Sequence, residues 1–333
     1  MKCLMFDKQN GMTELEVPVP DITSDEALVQ ILRVGICNTD LEILQGYSQF
    51  EGIMGHEFIG RVARLPNELI SWGGVSVGQR VVGDINISCG RCHVCMQQQG
   101  SPMQKYHCPQ RSVIGIRNRA GAFAEYLVLP IANLHAVHDS ISDEAAVFCE
   151  PIAAAVKIIE QKLVHRDQIV CVIGDGKLGL LICEVLCAAI ELKRLVLVGK
   201  YEHKMMLSGG GVEKFDHSDM TKTLFIDYFD TVIEATGNAL GIMSAISMCR
   251  PMGTVVLKTT CATNDVFDST LVVVKELKLV GSRCGPIPAA LKLLKDKKIN
   301  PAKFIQTVFP FSQWQKAIET AQQKGALKIQ MTM

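Results

Sequence analysis

Ile169-Val170-Cys171-Val172-Ile173-Gly174-Asp175-Gly176-Lys177-Leu178-Gly179 is the stretch that decides the fold of this chain. The first five residues are apolar and mostly β-branched, and they read as a buried strand. Residues 180–190 continue as an apolar helix. Between them stands G-x-G-x-x-G. Strand, glycine turn and helix, in that order, receive a dinucleotide pyrophosphate. Gly174 permits the tight turn, and Gly176 lets the backbone approach the phosphates. Lys177 and Leu178 lead to Gly179, which lets helix and strand pack closely. The helix N-terminus then faces the anion. An ordinary glycine turn is the plain alternative, and the flanking elements weigh against it.

Working outward, residues 152–160 read as a helix beginning after Pro151. Strands at Ile169–Ile173, 194–198, 231–234 and 254–257 then alternate with helices at 180–190 and 240–249. That alternation predicts βαβ units and a doubly wound parallel sheet, an α/β class. Residues 1 to about 150 read differently. Short apolar runs at 27–32, 80–82 and 124–129 are separated by Gly and Pro turns, a β-rich texture. Beyond Gly281 the chain reads as helices at 289–294 and 313–323 and a last strand at 327–331.

The chain has 333 residues, enough for two domains with cores of their own. Basic and acidic residues balance at 34 each, so nothing points to a nucleic-acid or membrane-surface partner. No apolar stretch is long enough to span a bilayer. Asp7 interrupts the N-terminus before a signal-peptide core forms, which implies a cytoplasmic or organelle-matrix protein. The 13 cysteines are odd in number and lack a secretory context, so a disulfide framework is not expected. Cys3, Cys171, Cys183, Cys187, Cys249 and Cys261 lie in apolar runs and read as small hydrophobes.

Three upstream segments carry metal-type ligands: Gly35-Ile36-Cys37-Asn38-Thr39-Asp40, Gly55-His56-Glu57-Phe58-Ile59-Gly60 and Cys149-Glu150-Pro151. A catalytic zinc takes three protein ligands and keeps one position open. Cys37, His56 and Glu150 satisfy that count, although spacing alone does not join them. Taken singly, each has an ordinary structural reading.

In this order the motifs resemble the zinc-containing medium-chain dehydrogenase/reductase superfamily, which includes alcohol, sorbitol, threonine and glucose dehydrogenases. The resemblance covers essentially the whole chain, from G-x-C-x-[ST]-D and G-H-E-x-x-G through the cysteine lobe and E-P to G-x-G-x-x-G. It implies that Cys37 and His56 ligate a catalytic zinc. Glu150 stands where polyol-type members place glutamate, with Cys149 as its competitor. Glu57 matches a glutamate that lies behind the zinc or ligates it. Thr39 matches the hydroxyl residue that starts proton release, and Glu42 replaces a relay histidine, a role a carboxylate can take.

Cys89-Gly90-Arg91-Cys92-His93-Val94-Cys95 followed by Cys108 offers four thiolates, a closed tetrahedral set for a structural zinc. A ferredoxin-type cluster would want its fourth cysteine at Gln99. The long last gap, with residues 97–102 as a loop extension, keeps His93 and His107 open as substitute ligands. At the end of the second strand of the dinucleotide unit, Gly199-Lys200-Tyr201 replaces the usual acidic residue. Gly199 leaves room for a 2′-phosphate, Lys200 can neutralise it and Tyr201 can pack on adenine, which favours NADP over NAD. Thr236, Lys258 and Arg283 are further cofactor candidates. Lys328 resembles a basic residue that reaches the pyrophosphate.

The resemblance implies two domains. Residues 1–152, completed by 285–333, form a GroES-like β-rich catalytic domain, and residues 153–284 form the Rossmann domain, with the active site in the cleft between them. It also implies one catalytic and one structural zinc per chain and a homo-oligomer, dimer or tetramer. The expected activity is reversible hydride transfer between NAD(P) and an alcohol, polyol or carbonyl substrate. Tyr47, Phe50 and Phe123 are candidates for the specificity pocket. A zinc-free quinone reductase and a cofactor-binding sensor or scaffold are the alternatives.

Overall fold

The computed structural model describes residues 1–46, 49–66, 71–72, 74–96, 106–218, 225–259 and 269–333. The chain divides into two compact units, residues 1–150 with 286–333 and residues 151–285.

The first unit is built on a seven-stranded sheet. Five of its strands are β1 (Glu26–Ile36), β2 (Glu57–Arg64), β3 (Arg80–Gly83), β4 (Tyr126–Pro130) and β5 (Leu134–Ala136), and two more come from the end of the chain. A short helix, α1 (Asn38–Leu44), follows β1 directly. β1 is central and pairs antiparallel with both β2 and β4. Ala27, Val29 and Ile31 alternate and are buried, as period-2 patterning requires, and a register shift between Ile31 and Arg33 moves the next buried residue to Val34.

The helix α2 (Cys149–Glu160) begins two residues before Pro151. The sequence reading started it after the proline. A first-turn position needs no N–H partner, so Pro151 is accommodated inside the helix rather than preceding it.

The second unit carries β6 (Ile169–Ile173), α3 (Lys177–Ala189), β7 (Arg194–Gly199), β8 (Glu213–Asp216), β9 (Phe229–Glu234), α4 (Ala239–Met248), β10 (Cys249–Leu257) and β11 (Lys278–Gly281). The strands form one parallel sheet in the order β8-β7-β6-β9-β10-β11. Strand order reverses beside β6, and ligands of such sheets bind at that switch point, beyond the strands' carboxyl ends. The central strands are apolar on both faces: Val170, Cys171, Val172, Val196, Leu197, Val232 and Ile233 are all buried.

The chain then returns to the first unit. Helix α5 (Ile287–Lys295) is followed by β12 (Ile305–Pro310), helix α6 (Trp314–Gln322) and β13 (Lys328–Thr332). β13 pairs antiparallel with the end of β1 that β4 leaves unpaired, residues 33–36, with Ile329 opposite Ile36.

Candidate metal centres and dinucleotide loop

Register assembles the first metal centre. β1 runs antiparallel to β2 with Gly35 opposite Glu57, so Cys37, just past one strand, meets His56, just before the other. The Cys37 sulfur, a His56 ring nitrogen and a Glu57 oxygen all lie within 4.8 Å of one another. A Cβ on Gly35 would stand 2.6 Å from Glu57 Oε2 and 2.8 Å from Val147, which explains the glycine at that point. Glu150 is half-buried in the first turn of α2 and is not in this converging group. Cys149 is fully buried, and burial raises its thiol far above the ordinary value, with Glu150 adding to the effect.

Asp40 holds the group in shape, a role that the sequence reading quoted the residue without assigning. It is fully buried on α1. One carboxylate oxygen accepts the Cys37 backbone N–H at 2.8 Å, and the other lies 3.2 Å from His56 Nδ1. A carboxylate behind one imidazole nitrogen leaves the other as the metal donor. The local signal was available: an acid three residues after a ligand cysteine.

Charge fits the same reading. Asp40 and Glu57 are both buried, and the buried cation facing them is Lys328, which pairs with Glu57 and donates to the Ile36 carbonyl at 3.4 Å. Two buried carboxyl groups, Asp40 and Glu57, thus face the Lys328 amine and the His56 imidazole. Burial acts against protonated His56, but Asp40 and Cys37 outweigh it and hold the imidazole well above its ordinary pKa. Burial likewise acts against charged Lys328, and Glu57, Cys37 and Asp40 outweigh it, raising the amine. A dication bound by sulfur, nitrogen and carboxylate would take the place of the imidazole proton beside these two carboxyl groups.

Lys328 therefore does not stand where the sequence reading put it. Its side chain is 2% exposed and engaged by Glu57, with the Phe148 ring 5.7 Å away. That is an internal counter-ion rather than an open anion contact. Asp40→Ala is expected to weaken zinc affinity roughly 10- to 100-fold, as loss of an outer carboxylate does. Chelator competition measures this, and unchanged affinity would show that the imidazole is oriented by something else.

The second centre is geometrically complete. Sulfur–sulfur separations are 3.5 Å for Cys89–Cys108 and Cys92–Cys95, 3.7 Å for Cys92–Cys108 and 4.0 Å for Cys89–Cys95. A zinc ion about 2.3 Å from four tetrahedral sulfurs sets them about 3.8 Å apart. Neither His93 nor His107 joins the converging group. Backbone N–H groups from Arg91 and Cys92 lower Cys89 to about 6, while burial pushes Cys95 up to about 11. Gln99 and the 97–102 extension lie outside the described residues.

In the second unit the three glycines of the loop have distinct steric jobs. Gly174 takes φ +116°, and a Cβ there would meet the Ala235 carbonyl at 2.6 Å. At Gly179 a Cβ would fall 1.9 Å from the Gly174 carbonyl oxygen. At Gly176, the residue preceding α3, a Cβ would meet nothing within 4 Å, so the space above it is open to a ligand. Lys177 and Leu178 are half-buried in the first turn.

The end of β7 departs from expectation. The room over Gly199 is filled by Asp175: a Cβ on Gly199 would lie 2.6 Å from Asp175 Cβ and 2.8 Å from its Oδ2. Asp175 Oδ2 accepts the backbone N–H groups of Lys200 at 2.8 Å and Tyr201 at 2.6 Å. Lys200 is exposed. The Tyr201 ring is covered by Lys204, with Nζ 4.2 Å from its centroid, and by His203 edge-on.

Thr236 donates to Glu234 Oε1 at 2.6 Å. Lys258 donates to the carbonyls of Ala154 and Arg283 at 2.8 and 3.2 Å, which makes it an internal tie. Arg283 is exposed beside Cys284. Phe123 is wholly buried against Gly55, and Phe50 is buried as well, so both belong to the core. Tyr47 lies outside the described residues.

Comparison with known proteins agrees with this geometry. Residues 23–139 match the alcohol dehydrogenase GroES-like domain family. The chain is 28% identical to an erythritol/L-threitol dehydrogenase of Mycolicibacterium smegmatis, over 95% of this chain and 93% of that one. It is 33% identical to an L-threonine 3-dehydrogenase of Xanthomonas oryzae pv. oryzae, over 72% of this chain and 71% of its relative. Among solved structures, the alcohol dehydrogenase TADH from Thermus sp. ATN1 superposes with a TM-score of 0.86 at 25% identity, covering 100% of this chain and 99% of that one. On these likenesses, and on the order in which its motifs occur, the chain belongs to the zinc-containing medium-chain dehydrogenase/reductase superfamily.

Proposed function

We propose that this chain is a zinc-dependent oxidoreductase that transfers hydride reversibly between a small alcohol or polyol and a nicotinamide cofactor. The observation that carries the reading is the converging donor set of half-buried Cys37 with buried His56 and Glu57, backed by buried Asp40. A zinc-free reductase of the same fold has no use for such a set. Cys37, His56 and Glu57 or Glu150 would hold the catalytic zinc, and Cys89, Cys92, Cys95 and Cys108 a structural one. When bound, the first zinc supplies Lewis acidity toward the substrate oxygen and the nicotinamide a two-electron acceptor.

The chain's own part is to hold the ligands and to move a proton. Thr39 is half-buried on α1, two residues past Cys37, and its hydroxyl can accept and donate at once. Glu42 lies three residues further on the same helix, a spacing that puts both on one face. Thr39 takes the alcohol proton and Glu42 receives it. Burial raises the Glu42 pKa, while the Asn38 side chain, donating at 2.8 Å, partly opposes the rise.

A raised carboxyl becomes a base only above that raised pKa. Alcohol oxidation therefore climbs with pH through it. Glu42→Gln is expected to lower kcat on the order of 10²-fold and to flatten that limb of the profile. An unchanged pH–rate profile would remove Glu42 from the route.

A carboxylate in the ligand set and the two dehydrogenase relatives support a polyol or similarly hydroxylated substrate. Between the two nicotinamides, Lys200 supports NADP and Asp175 weighs against it. The same reading makes the protein a cytoplasmic homo-oligomer. Exposed Val273 and Val274, near the edge strand β11, support association through the second unit. No helix among the described residues is long and apolar enough to cross a membrane.

The deciding experiment is cofactor reduction by zinc-loaded protein against alcohols, polyols and sugars, with NAD and NADP in parallel. Turnover of a polyol with either cofactor is expected. Silence across the panel with both zinc ions bound would favour a cofactor-binding protein without catalysis.

A further inference from the structure

The adenosine end of the dinucleotide site holds a residue that the strand-end pattern does not anticipate. In most such folds the second strand ends in Asp or Glu, which binds the ribose hydroxyls and disfavours a 2′-phosphate. Here β7 ends in Gly199, and the acidic residue comes from the preceding glycine loop. We propose that Asp175 is the specificity-determining residue of this site: it reads the adenosine ribose and selects NAD against NADP. The inference rests on the reading of the glycine loop as a dinucleotide site.

Three observations carry it. First, the place is right. Asp175 packs directly on Gly199, so the carboxylate lies over the strand end whose own side chain is missing. Second, the carboxylate is held there. Oδ2 accepts two backbone N–H groups, from Lys200 and Tyr201, and Oδ1 lies 3.5 Å from Lys204 Nζ. An ionised carboxylate offers about four acceptor positions, so Oδ1 retains capacity for a hydroxyl donor. The side chain is 10% exposed, buried enough to be fixed and open at one edge.

Third, the nearby cations do not make a phosphate site. Lys204 is 4% exposed, and its charge is already matched by Asp175. Lys200 contributes its backbone N–H to the clamp, while its side chain is exposed. A 2′-phosphate would bring about −1.5 to −2 charge against a fixed carboxylate, which costs repulsion and desolvation. A ribose hydroxyl would instead add a charge-assisted hydrogen bond.

A plain structural role predicts something different. If Asp175 only clamps the turn after β7, an asparagine retains an acceptor for those N–H groups and cofactor choice does not change. The test is therefore fluorescence titration of NADH and NADPH into the purified full chain, wild type and Asp175→Asn, with thermal melting to verify folding.

The wild type is expected to bind NADH about tenfold more tightly than NADPH or better, the scale of one charge-assisted hydrogen bond. In Asp175→Asn the two affinities are expected to converge to within roughly threefold, mainly by a gain for NADPH. Tighter NADPH binding by the wild type overturns the proposal, as does an unchanged ratio in a folded Asp175→Asn protein. Should that variant not fold, displacement of NADH from the wild type decides: ADP-ribose is expected to compete better than its 2′-phosphorylated form, and the reverse order refutes the assignment. A wild type that binds neither nucleotide overturns the dinucleotide reading too, whereas a preference for NADPH overturns the role of Asp175 alone.

Discussion

Cys37→Ala protein is expected to lose turnover by on the order of 10³-fold or more, together with one equivalent of zinc. The size follows from the work asked of the metal. Lewis-acid stabilisation of the developing alkoxide contributes several kcal/mol, and about 1.4 kcal/mol corresponds to a factor of ten in rate. His56→Ala should behave alike, because both residues sit in one converging donor set. Nicotinamide binding should persist, since the glycine loop belongs to a different compact unit, residues 151–285. Metal analysis and nicotinamide titration on the same sample separate this outcome from misfolding. Normal turnover by a verified Cys37→Ala protein would sink the zinc assignment.

Substitution of a lobe cysteine should give the opposite pattern, with stability lost before chemistry. Cys92 lies 3.5 Å from the Cys95 sulfur and 3.7 Å from that of Cys108, so Cys92→Ser removes one corner of a closed site. Loss of a structural metal belongs to the few single changes that cost about 4 kcal/mol or more. At roughly 2–4 °C per kcal/mol for a chain of this class, the melting temperature should fall by on the order of 10 °C. Calorimetry with zinc quantification checks it. Activity measured well below the new transition should be largely retained, since this site keeps no open coordination position for substrate. An unshifted melt with four-sulfur coordination abolished would show that the lobe is held by other contacts.

What the sequence made legible was local. The glycine loop could be read residue by residue because its sterics involve neighbours in the chain, and β6 begins and ends where its apolar run does. The four-cysteine lobe was legible for a similar reason: its ligand types and count name the metal. Features set by strand register were not legible from spacing, and Glu57 was reached only through the family resemblance. Glu57 joins Cys37 because Gly35 and Glu57 are cross-strand partners, and Lys328 meets Glu57 because β13 pairs with β1. No spacing in the chain encodes either meeting. Asp175 was hidden differently: its acidic character was plain, but only the fold shows that it lies over Gly199. Lys258 reads from the sequence as a cofactor candidate at a strand end, and only the fold shows that carbonyls of its own unit engage the amine.

The pairing of β13 with β1 also bears on the order of events during synthesis. Glu57 waits for a counter-ion 271 residues downstream, while the second unit is one uninterrupted segment from Pro151 to Gly285. A nascent chain thus exposes the ligand cysteine and histidine long before the lysine that balances them has left the ribosome. The contiguous unit is free to fold first, since domains generally fold as units. The acidic centre receives its lysine only when the returning strand docks, so its charge balance is completed late in the folding of this protein.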